Sequence, residues 1–76
     1  MQKIQLGEKV VIHPDWQDED SCAFCCRALG ADPANVLVDI NMKLIDLNQY
    51  NSGDNYCFPV GSSCLAKFVK DGVARF

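Results

Sequence analysis

Residues 22–30 read Cys-Ala-Phe-Cys-Cys-Arg-Ala-Leu-Gly (CAFCCRALG), placing three cysteines within five positions of a 76-residue chain. Two more, Cys57 and Cys64, stand in the later stretch YCFPVGSSCLAKF. An odd number of cysteines, two of them adjacent, makes a poor disulfide framework. A redox reading of Cys22-x-x-Cys25 needs a βαβ setting with the first cysteine opening a helix, for which a chain this short has little room. A metal site suits the spacing better. Cysteines three apart on a tight turn present both sulfurs to one ion, and nearby backbone amides can donate to them.

A tetrahedral zinc site needs four Cys or His ligands, so further donors must come from elsewhere in the chain. Cys64 follows Ser62 and Ser63, which read as the cap of a helix running towards Gly72. Free amides and the helix dipole at such a start favour the thiolate, the form that binds metal. Cys22, Cys25 and Cys64 are therefore the core ligands. Cys57, seven residues before Cys64, is the expected fourth, and His13 at the end of the first apolar run is the alternative. Cys26 reads as a small buried apolar side chain.

The two motifs together resemble small zinc-binding domains of uncharacterised phage and plasmid proteins. Those domains run C-x-x-C-G-R-x-L, a β-segment, then aromatic-P-[IV]-G-[ST]-x-C-x-x-K. Cys22, Cys25, Arg27, Leu29, Phe58 to Gly61, Cys64 and Lys67 fit this pattern. Cys26 stands where the pattern has Gly, and Cys57 where it often has an aromatic residue. The resemblance implies a fold, one structural Zn²⁺ and a mobile-element origin, with no assigned activity.

Around the motifs the chain reads as one small domain spanning residues 1–76. A domain this short buries only about 60% of its unfolded surface, so a metal staple is physically useful. KIQLGEKVVIH suggests a strand at 9–13 paired with a shorter one at 3–6. In VLVDINMKL the residues Val36, Val38, Ile40, Met42 and Leu44 alternate with polar ones, giving a strand buried on one face. The phase then flips, which implies a bulge or turn near 42–45. YCFPV reads as a returning strand that Pro59 confines to an edge or an end. The expected fold class is α+β: a short antiparallel sheet, a zinc knuckle and one C-terminal helix, arranged as in a treble clef.

No catalytic constellation accompanies the cysteines, and a thiolate-rich zinc site is usually structural, so the chain is expected not to be an enzyme. Formal charge is −3, from 10 acidic and 7 basic side chains, which argues against coating a nucleic-acid duplex. The expected function is protein interaction, as a phage- or mobile-element-encoded modulator or inhibitor of a host enzyme. The acidic run Asp15, Asp18, Glu19 and Asp20 would meet a basic partner surface. The alternative is a nucleic-acid-binding zinc module using Arg27, Lys67, Lys70 and Arg75, with Trp16, Tyr50 and Tyr56 as stacking groups. No apolar run is long enough to span a membrane, and the first residues lack a signal-like apolar stretch. Both point to a reducing cytoplasm, that of the host if the chain is phage-encoded.

Overall fold

A three-stranded antiparallel sheet in the order β2–β1–β3 organises the chain, with β1 at Ala34–Val38, β2 at Tyr56–Val60 and β3 at Val73–Ala74. The computed structural model describes residues 2–31, 33–51 and 53–76. Its Cα radius of gyration is 11.3 Å, close to the value of about 11 Å for a compact chain of this length.

β1 is central because its Asn-Val-Leu-Val run can be buried on both faces. Val36, Leu37 and Val38 are all fully buried. In the β1–β2 register Ala34 faces Val60, Val36 faces Phe58 and Leu37 faces Cys57. Side chains alternate across a strand, so Ala34, Val36, Val38, Phe58 and Val60 share one face and Leu37 and Cys57 share the other. The first set packs with Val10, Leu44, Phe68 and the cysteines 22 and 64 into one core. Pro59 lies on edge strand β2, where its missing N–H removes no ladder bond.

The alternating segment expected to continue through Leu44 instead turns back at its midpoint. The amide of Asp39 donates to the carbonyl of Lys43 (3.0 Å), and the amide of Met42 donates to the carbonyl of Asp39 (3.0 Å). The Asp39 carboxylate accepts from the amides of Asn41 (2.8 Å) and Lys43 (3.0 Å). Met42 closes the loop with φ 64°, as in three-residue hairpin loops that end on a left-handed residue. Ile40 sits at this tip and is 70% exposed, whereas Leu44 returns to the core fully buried.

The N-terminal strands expected at 3–6 and 9–13 do not form a hairpin. Ile4 makes a single parallel bridge to Phe68, and Lys9 a single antiparallel bridge to Lys43. Leu44 competes for this backbone: it accepts from the amide of Gly7 (2.7 Å) and donates to the carbonyl of Glu8 (2.9 Å). Gly7 takes φ 89° to make that turn.

The expected helix towards Gly72 is one turn long. α1 covers Ser62–Leu65, capped by Gly61 with no side-chain cap from either serine. Ile4 ends it: its amide donates to the carbonyl of Lys67 (2.8 Å), and its carbonyl accepts from the amide of Val69 (3.2 Å), drawing that backbone into extended form. Gly72 is not a left-handed helix stop. It lies in a 3-10 turn, Lys70–Gly72, where a Cβ would come 2.6 Å from Leu44. Glycine there is a packing requirement.

Candidate metal centre

The knuckle is a tight hairpin. The amide of Cys22 donates to the carbonyl of Arg27 (2.8 Å), that of Leu29 to Asp20 (3.1 Å), and that of Cys26 back to Cys22 (2.8 Å). Cys26 takes φ 63° to close it. A left-handed conformation is strained for a residue with a Cβ and free for glycine. A glycine at this position would take the turn without that strain.

Strand β2 and α1 then bring the second end of the chain to the knuckle. The amide of Ala23 donates to the carbonyl of Pro59 (2.9 Å), seating β2 beside it. One step further, α1 carries Cys64 inward. The Sγ atoms of Cys22, Cys25 and Cys64 all lie within 4.8 Å of one another, with Cys22 and Cys64 buried and Cys25 half-buried. Sulfurs bound to one zinc at about 2.3 Å in a tetrahedron are about 3.8 Å apart. A small contraction therefore brings these three sulfurs onto a single ion.

The electrostatics prepare Cys22 as the anionic member. Burial alone would raise its thiol, but the amides of Gly61, Phe24 and Cys25 donate to its sulfur, as does the Cys25 thiol, and the net shift is downward. Cys64 moves the other way. Burial, hydrogen bonds to the Cys25 and Cys22 sulfurs and their negative charge push it up to about 12. The helix start expected to favour a Cys64 thiolate is a single turn, with little dipole to offer. The Gly61 amide, at the start of α1, donates to the Cys22 sulfur. Cys26 is also raised, by desolvation and by the charges of Asp15, Cys25, Cys22 and Asp18.

Cys57 is not among the converging sulfurs. It shares the opposite face of β2 with Leu37, and its sulfur accepts a hydrogen bond from the Tyr50 hydroxyl, which leads the causes that raise the Tyr50 phenol. His13 is also outside the group: its backbone amide donates to the carbonyl of Ala23 (2.8 Å) and its Nδ1 accepts from the amide of Asp15 (3.0 Å). All five cysteines are free thiols.

Two of the expected stacking groups are engaged within the chain. Trp16 meets Phe58 edge-on at 5.8 Å and donates to the carbonyl of Ser21 (3.0 Å), and Tyr50 packs on Phe76 at 5.7 Å. Asp15, Asp18, Glu19 and Asp20 are exposed. Among the described residues, no helix is long and apolar enough to cross a membrane. Compared with models of known protein families, with curated proteins and with solved structures, the chain matches none.

Proposed function

We propose that the chain is a zinc-stabilised protein-interaction module whose ion is held by Cys22, Cys25 and Cys64. The carrying observation is the meeting of three sulfurs from two distant segments, one of them ringed by backbone amides. Zinc suits this donor set because thiolates are soft ligands and a tetrahedron accepts them from a knuckle and a helix. Three thiolates leave the ion one further place, for water or a donor outside the trio. In this reading the knuckle, the sheet and the one-turn α1 make a reduced treble clef, and the metal supplies stability that so small a core lacks.

The role of the domain is binding rather than catalysis, as a modulator or inhibitor of a host enzyme encoded by a phage or mobile element. The exposed acidic segment 15–20 flanks the knuckle, and the ion holds that segment in place for a basic partner surface. Protein lacking the metal should bind its partner weakly because the segment loses its support. The test is a pull-down from host lysate with the zinc-loaded protein, the chelated protein and an Asp18→Lys/Glu19→Lys/Asp20→Lys variant. A partner captured only by the zinc-loaded, unsubstituted chain supports the role. Equal capture by all three contradicts it.

A further inference from the structure

Most basic side chains of this acidic chain border two hollows that share Phe68. A cavity of about 370 Å³ is floored by Leu65, Phe68 and Val73 and rimmed by Lys3, Lys70 and Arg75. On the other side of Phe68 a second hollow of about 230 Å³ is lined by Ile4, Val10 and Phe24, with Lys9 and Lys67 at its edge. Five of the chain's seven Lys and Arg residues thus border two adjoining apolar hollows. Among the described residues, no carboxylate lines either one. Lys70 and Val73 also border a third hollow, which Asp46 and Asp71 line as well.

From this arrangement we infer that the face docks an acidic peptide segment of a partner protein, seating one apolar side chain on Leu65 and Val73 with carboxylates at Lys3 and Lys70. Charge complementarity fixes the sign of the occupant, since Lys3 and Lys70, with no carboxylate among the described residues that line this hollow, repel a basic segment and attract an acidic one. The floor fixes its class. Binding of single-stranded nucleic acid relies on exposed aromatic faces for base stacking. Phe68 is only 3% exposed, and it is packed against Phe24 at 5.1 Å. Aliphatic floors with charged rims instead suit a peptide anchor. The site adjoins the metal centre through Leu65, next to Cys64 in α1, and none of its lining residues belongs to the acidic segment 15–20.

The experiment is an NMR titration of ¹⁵N-labelled, zinc-loaded protein at about 150 mM salt, where long-range charge effects are screened. The probes are acidic hexapeptides with Leu, Ile, Val or Phe at their two central positions, their Lys-substituted counterparts, and an oligothymidylate. At least one acidic peptide should give saturable shifts at the amides of Lys3, Leu65, Ala66, Lys70 and Val73. Affinity should fall about tenfold or more in Lys3→Glu/Lys70→Glu, whose changes are at exposed positions and should leave the remaining spectrum intact. Asp18→Lys/Glu19→Lys should leave this binding in place. Absence of saturable shifts with every acidic peptide, shifts located elsewhere, equal binding by the double variant, or tighter binding of the oligothymidylate at these amides would each overturn the inference.

Discussion

Cys57 stands directly opposite Leu37 in the β1–β2 pair, on the face of the sheet that points away from Cys22 and Cys64. Strand alternation therefore separates it from the three converging sulfurs, and its contact is the Tyr50 hydroxyl. Cys57→Ala should keep the bound metal unchanged. It should also lower the Tyr50 phenol towards its ordinary range, since the Cys57 hydrogen bond is the largest cause of its upward shift. A phenol raised by folding adds stability that is present below its unfolded value and lost as pH rises through the folded one. The variant should thus lose that contribution, and its tyrosine titration, followed by ultraviolet absorbance, should begin at lower pH. Loss of metal from Cys57→Ala would return this cysteine to the ligand set.

Cys26 closes the knuckle at φ 63°, a conformation that costs a side-chain-bearing residue about 1–2 kcal/mol. Cys26→Gly removes the strain and restores about 0.5–1 kcal/mol of unfolded-chain entropy against folding. The net expectation is a domain more stable by about 0.5–1 kcal/mol with full metal content. Chemical denaturation of the metal-loaded variant measures it. A clear loss of stability would mean that the Cys26 side chain makes contacts worth more than the strain.

The two glycines near the core should respond in opposite ways. Gly72→Ala drives a Cβ to 2.6 Å from the buried Leu44 side chain, and overpacking of this kind costs about 1–3 kcal/mol. Gly61→Ala places its Cβ 3.6 Å from the Cys22 Cβ with ordinary φ, so the metal and the fold should both survive. Thermal melts of the two variants side by side give the comparison. Equal loss in both would show that the Gly61 position is tighter than its contacts indicate.

Much of the site was legible in the sequence because C-x-x-C and a cysteine just inside a helix start are local signals. They identified Cys22, Cys25 and Cys64. The β2 segment with its Pro59 edge is a local signal too, yet the same alternation that puts Phe58 and Val60 inward places Cys57 outward, whatever its proximity in sequence to Cys64. The Gly61 amide on the Cys22 sulfur had no signal of its own, because it arises only when β2 docks on the knuckle. The longer helix and the N-terminal hairpin failed for a tertiary reason. Ile4 takes up the backbone of Lys67 and Val69, and Leu44 takes up that of Gly7 and Glu8. Propensity could not anticipate either competitor. The left-handed Met42 likewise turned one long alternating run into a hairpin, leaving Ile40 at its exposed tip.

Zinc-edge X-ray absorption on protein purified without a metal-binding tag, together with its zinc content per chain, tests the central claim. The account predicts about one zinc per chain with three sulfur neighbours at about 2.3 Å and one oxygen or nitrogen donor, lost on Cys64→Ser. Protein that folds with the same melting curve but holds no zinc, or whose zinc keeps its sulfur shell in Cys64→Ser, would contradict it.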